Sequence, residues 1–363
     1  MATSGTVSTT VFETRKVIEH AFRKMRMVPA QITSEYVEVA QDLLYLILSG
    51  LSSDGIKLWN IEKNILGLYR GEQSLLTPVG TIEVLDITLR TGTRQISDTL
   101  LASAGEALPT EAFDDALSST YTQVAPLGWA GLQTDSDISP YTFGFFWRGL
   151  TGTWSFIWEV STDGIAWSSV GPPNKTNQYI DLAVEFNQWI WIDAEGTPDA
   201  ASFFRLRALD PVTVMSVGAI VIQTNPTEIN LAQINRNDYA NLPTKNNRGR
   251  PTQYWYDRQR VNPVVTLWPA PDDAHKWAQA VIYRQRQIQD VGTLTQELEL
   301  PQRWYLAVVY ELSKMLITEI KEADLNLLPV VSTEADVAMR KAWDGESDGS
   351  DASFVVMIRP YTA

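Results

Sequence analysis

Cysteine is absent from this chain of 363 residues, and histidine occurs only at His20 and His275. Without a thiol there is no disulfide, no thiolate zinc site and no cysteine nucleophile. Two histidines cannot build a multi-histidine metal centre within one chain, and no cofactor or metal is expected. Positive charge is scarce: 29 Lys and Arg face 43 Asp and Glu, a formal charge of −14, whereas a free-standing nucleic-acid binder is usually basic. The longest apolar run, Leu43 to Leu48, is far short of the ~20 residues that span a bilayer, so no membrane anchoring is expected. Met1 to Thr10 is rich in Ser and Thr, without charge or an apolar stretch, unlike a secretory leader. Phosphate loops, dinucleotide fingerprints and the G-x-S-x-G elbow are missing, and the many carboxylates are dispersed. The expectation is a soluble, non-secreted protein that is not an enzyme.

What is present divides the chain in three. Thr10 and Glu13 have capping-box spacing, and Val17, Ile18, Ala21, Phe22 and Met25 then follow helical periodicity. Pro29 interrupts this pattern. A second helix is predicted from Ser34 to Leu51, and a third, short one from Leu58 to Tyr69. Ile82 to Leu89 alternates as a strand would. From about Thr120 the periodicity becomes two. Phe143, Phe145 and Trp147 form one alternating set, as do Trp154, Phe156 and Trp158; Trp189 with Trp191 and then Phe204 with Leu206 repeat it. Turn residues separate these runs, and seven of the 13 tryptophans fall here. A small all-β sandwich is the predicted outcome. After Pro226, strands are expected at Val264–Trp268 and Ala278–Tyr283, joined through Pro269 to Asp272. A long helix should open at Pro301 and a shorter one at Thr333, which is its candidate cap.

Three local motifs have simple alternatives. Asp344, Glu346, Asp348 and Gly349 fit the first positions of a calcium loop, but Val355 stands where a bidentate Glu is required; a solvated linker is the plainer reading. Asn174-Lys-Thr176 is a glycosylation sequon that lacks a secretion signal. Ser161 to Trp167 resembles the strand–turn–strand element of discoidin-like and carbohydrate-binding jelly rolls. Exposed indoles stack on sugar rings, so Trp129 and Trp167 are candidate glycan contacts. The alternative for these aromatics is core packing, which period-two spacing favours for Trp154, Phe156 and Trp158.

The residues from Ile234 to Trp304 carry a broader pattern. Arg236 to Tyr239 is followed by Leu242-Pro-Thr-Lys245, Gly249-Arg-Pro251, Tyr254-Trp-Tyr-Asp-Arg258, Leu267-Trp-Pro-Ala-Pro-Asp272, Val281 to Arg284 and Leu298 to Trp304. This order resembles the head-to-tail adaptor, or gatekeeper, of short-tailed bacteriophages, the tail tubular protein A-like family. The likeness is good from about Glu228 to Trp343, looser over the N-terminal helices, and absent from Thr120 to about Asp210.

That resemblance implies a structural virion protein, assembled in the bacterial cytoplasm. It implies a dodecameric ring under the portal protein, with the tail nozzle protein below. Such a ring extends the channel for double-stranded DNA and helps to retain it, without sequence-specific binding. The implied fold is α+β: an α-helical adaptor domain, a helix bundle with a small β-hairpin, over residues 1–115 and 222–343. A jelly-roll-like sandwich inserted at 116–221 would interrupt it, with tail fibres as its candidate partner, and 344–363 would form an acidic, then apolar tail. A ring closed by heterologous contacts needs two complementary faces. The stretch from Asn235 to Arg286 is locally basic, with nine Lys and Arg against four Asp and Glu. Arg236, Tyr239, Arg250, Arg258, Arg260, Arg284 and Arg286 are therefore interface candidates, and Phe354, Val355, Val356 and Ile358 are candidates for docking on a neighbouring copy or the portal. The alternative function is a carbohydrate-binding virion adhesin acting through the Trp-rich sandwich.

Overall fold

A computed structural model describes residues 12–53, 58–96, 99–170, 178–194, 200–211, 214–259 and 263–346. The chain folds as two compact units, one of residues 1–62 with 285–363 and one of residues 63–284. Arg260 and the docking candidates Phe354, Val355, Val356 and Ile358 lie outside the described residues, as does the sequon.

The first unit is helical. Helices α1 (Thr14–Lys24), α2 (Ser34–Ser53), α3 (Gln302–Glu319) and α4 (Leu328–Asp344) share one core. Phe22, Leu44 and Leu312 are sealed from water in it, each contributing about 1.5–3 kcal/mol by burial. Trp304 is also fully buried and meets Trp343 edge-on, with ring centroids 5.4 Å apart. Its indole N–H donates to Glu346 Oε1 at 2.8 Å. The expected side-chain cap of α1 lies partly outside the described residues, and Glu13 makes no side-chain cap bond. Instead, the first free amides of α1, those of Thr14 and Arg15, donate to the carbonyls of Gln296 and Leu294 at 2.9 and 3.0 Å. Nor is Thr333 a cap: α4 starts five residues earlier, with a proline in its first turn, and the Thr333 hydroxyl donates back to the Pro329 carbonyl at 2.9 Å.

The second unit is built from strands. A seven-stranded sheet runs in the order Ile61–Gly67, Gln279–Arg286, Thr81–Arg94, Ser216–Asn230, Thr142–Trp147 and Gln188–Asp193, with Tyr121–Thr122 added to the fourth of these. It faces a six-stranded sheet of Gln178–Val184, Gly152–Ser161, Ala201–Ala208, Trp129–Ile138 and Leu100–Ala102, with Ser168–Ser169 beside the second. Strand alternation sends Phe143, Phe145 and Trp147 inward from one sheet and Phe156, Trp158, Phe204 and Leu206 from the other. Their rings interlock; Phe145 and Phe156 are 5.0 Å apart. A second β core lies under a four-stranded sheet of Ala232–Ile234, Gln253–Asp257, Val264–Trp268 and Ser74–Leu76. The strand Ser216–Asn230 passes from the sandwich toward this second core through a register shift between Thr224 and Thr227. Asn225 there has φ 51°, and Pro226, which has no N–H to give to the ladder, occupies the irregular position.

This architecture overturns the expected fold class. Strand exceeds helix, 38% to 28% among the described residues, and what separates the two helical ends is not a lone sandwich at 116–221 but the whole β unit of residues 63–284. Residues 63–115 and 222–284, expected to belong to the helical part, form the same β unit as 116–221. The reason lies in pairing. Ile82–Leu89 was expected as a short strand, but it is the centre of the 14-residue strand Thr81–Arg94, whose partner is Ser216–Asn230. The predicted helix Leu58–Tyr69 is a single 3₁₀ turn, Leu58–Asn60, followed by the strand Ile61–Gly67. The expected hairpin is absent as well: Val264–Trp268 joins the four-stranded sheet and Gln279–Arg286 the seven-stranded one.

Candidate functional site

An aromatic cluster of the β unit lies on the face of the seven-stranded sheet that points away from the sandwich core. Antiparallel register sets Trp189 opposite Phe146 and Trp191 opposite Gly144, so alternation sends Ile190 and Ile192 into the sandwich core and the two tryptophans to the opposite face, where they pack half-buried against Phe146, Ala219, Val221 and Trp277. The two indoles stack at 5.0 Å and 22°. They have room because their neighbours are small. A Cβ on Gly144 would lie 2.3 Å from the Trp191 ring, and one on Gly67 would lie 2.7 Å from both Trp189 and Trp191. Trp277 meets Trp189 edge-on at 6.0 Å. The Arg94 guanidinium covers Trp277 at 4.3 Å, and burial lowers the Arg94 pKa to about 10.

Polar groups surround this floor. The turn before Gln188–Asp193 holds Asn187 in the left-handed region, φ 64°, a conformation that Asn tolerates better than most residues. The Asn187 amide donates to the Trp147 carbonyl at 3.0 Å, and its side-chain oxygen accepts from Arg148 Nη1 at 2.6 Å. The guanidinium of Arg148 sits 5.7 Å from the rings of both Phe146 and Phe186. Two hollows result. One, of about 410 Å³, is lined by Glu72, Leu117, Ser118, Phe146, Arg148, Asn187 and Trp189. The other, of about 520 Å³, runs along Gly67, Glu72, Ser74 to Val79 and Glu185 to Trp189. Glu72, Asn187 and Trp189 line both. Glu72 is exposed as a residue, yet its carboxylate turns back to accept from the Tyr69 amide at 3.2 Å. Loss of water around that carboxylate raises its pKa, against the opposing effect of the Tyr69 bond.

The glycan candidates from the sequence lie elsewhere, on the outer face of the six-stranded sheet. Trp129 and Trp167 are 6.1 Å apart, and the Arg205 guanidinium lies 5.1 Å and 3.8 Å from their rings. Arg205 Nε and Arg207 Nη2 both bond the buried Glu159, at 2.6 and 2.9 Å. A guanidinium thus covers one face of these indoles.

The interface candidates are dispersed. Arg236 is exposed at the start of the short helix Arg236–Asn241, and Arg250 is exposed in a turn. Tyr239 stacks on Trp255 at 5.1 Å. Arg258 pairs with Glu83 within the chain. Arg284 is buried and donates to Asn64, to the carbonyls of Pro78 and Val79, and to Thr81. Arg286 forks onto Glu299. The histidines have local roles: His20 stacks on Phe12, and His275 Nδ1 meets Asp272 Oδ1 at 2.6 Å, holding the Asp272 carboxyl below the usual range. Among the described residues, no three His, Asp or Glu side chains converge to hold a metal ion. No described helix is long and apolar enough to cross a membrane.

Phe146, Arg148, Asn187 and Trp189 were not singled out as a site in the sequence. The available signal was the pair Trp189 and Trp191 following a Phe-Asn turn. Period two alone does not say which face of a strand is wet.

No protein-family description matches the sequence, and no curated protein does. Solved structures offer distant likenesses. A family 32 carbohydrate-binding module of AlyQ, in complex with 4,5-unsaturated mannuronic acid, is 16% identical, with a TM-score of 0.31 over 37% of this chain and 99% of the module. A pectin-binding module is 16% identical, with a TM-score of 0.28 over 36% of this chain and 93% of its own. A family 32 module from a Clostridium perfringens family 31 glycoside hydrolase is 12% identical, with a TM-score of 0.28 over 35% of this chain and 95% of its own. At such scores, a functional reading has to come from this chain's own side chains.

Proposed function

We propose that this chain binds carbohydrate, without turning it over, in the hollows on either side of Trp189. The supporting observation is the combination around one indole. The half-buried Trp189 offers apolar surface over the buried Phe146, while Arg148, Asn187 and Glu72 surround it with donors and acceptors. Sugar rings have one apolar face and a rim of hydroxyls, and aromatic stacking with planar polar side chains answers both. Isothermal titration of the full chain, guided by a glycan array, tests this. Trp189→Ala should weaken binding at least about tenfold, while Trp167→Ala should leave it unchanged because Arg205 already covers that ring. If Trp167→Ala abolishes binding and Trp189→Ala does not, the site is misassigned.

A second reading keeps the virion adaptor ring that docks the portal and tail nozzle. It is favoured by the two chain ends sharing one helical core, and by apolar side chains left in water on that unit: Tyr45 and Leu46 on α2, Leu306 on α3 and Val330 on α4. Neighbouring copies would cover such residues. Electron microscopy of the full chain, alone and with portal rings present, should reveal closed rings. Solitary particles under both conditions would remove this reading.

A further inference from the structure

We infer that the sugar accepted beside Trp189 carries a free, protonated amine. This rests on the carbohydrate reading and specifies its ligand. The second hollow has two charged side chains in its lining, Glu72 and Glu185, and both are acidic. Neither carboxylate has a cation within ion-pairing distance among the described residues, and the Glu72 carboxylate accepts from the Tyr69 amide, which is neutral. The one cation in the adjoining hollow, Arg148, is directed to Asn187 and to the Ser118 carbonyl. A neutral sugar would leave both carboxylates solvated, and an acidic sugar would meet like charge. A protonated amine placed over Trp189 gains the aromatic face as well as the carboxylates. The rest of the hollow, Leu75, Leu76, Pro78 and Phe186, suits the apolar side of the same ring.

The experiment is titration of the full chain with a glucosamine oligosaccharide, its fully N-acetylated counterpart and a neutral glucose oligosaccharide of equal length. The free-amine oligomer should bind about tenfold more tightly than the other two, and its advantage should shrink as salt is raised. In the double variant Glu72→Gln with Glu185→Gln, the three oligomers should bind alike, with thermal unfolding unchanged as evidence of an intact fold. If the acetylated or neutral oligomer binds as tightly as the amine in the unmodified chain, the charge inference fails and the carbohydrate reading stands. If none of the three binds and Trp189→Ala changes nothing on a wider array, the carbohydrate reading fails with it.

Discussion

Trp191 lies where a single added methyl group would collide with it. Gly144 and Gly67 leave the space that lets the Trp189–Trp191 stack lie flat on the sheet. Gly144→Ala should therefore destabilise the protein by about 1–3 kcal/mol, through overpacking against an indole with nowhere to go, and should weaken sugar binding by displacing Trp189. Gly50 in α2 is the contrast, since a Cβ there meets nothing within 4 Å. Gly50→Ala should stabilise by about 0.5–1 kcal/mol, because the unfolded chain loses freedom at no steric cost. Urea unfolding of the two variants checks both signs. The glycines could be counted in the sequence, but their partners are far along the chain; Gly67 and Trp191 become neighbours only once the strands pair.

At the scale of elements, the sequence was most readable where one face is dry and the other wet. The periodicity of α1 and α2 marked those helices, and Val264–Trp268 has the expected bounds. Phe143, Phe145, Trp147, Phe156 and Trp158 take the core positions their spacing suggested. It was least readable where strand pairing decides. Leu58–Tyr69 has apolar residues at helix-compatible intervals, but the segment satisfies its backbone beside Gln279–Arg286. Trp129 and Trp167 pointed to stacking and do stack, on a cation from their own chain. The candidate site was hidden for a similar reason: Arg148, Asn187 and Glu72 meet through a turn and a register that no local pattern encodes.

For the whole molecule, the division into two units makes pH a selective probe. Glu299 in the helical unit is partly desolvated, which alone would raise its pKa, but the bonds from Arg286 and the Gln289 amide bring it below the ordinary value. A depressed carboxyl pKa supplies stability above the unfolded value, roughly 4.3, and that stability is lost as pH falls through the folded one. Glu299→Gln should thus cost about 1–2 kcal/mol at neutral pH and progressively less in acid. Calorimetry over that range should show the change in the transition of the helical unit, with the β unit unaffected. Equal effects on both units, or a difference that grows toward low pH, would contradict this.

Within the β unit, the 15-residue strand Ser216–Asn230 supplies Val217, Ile220 and Ile222 to the sandwich, and Leu231 immediately after it enters the second core. A single rung of backbone common to both ties their fates together. Separating the cores means breaking that shared ladder, so the seven-stranded sheet and the small sheet should melt together, in one transition of this half of the protein.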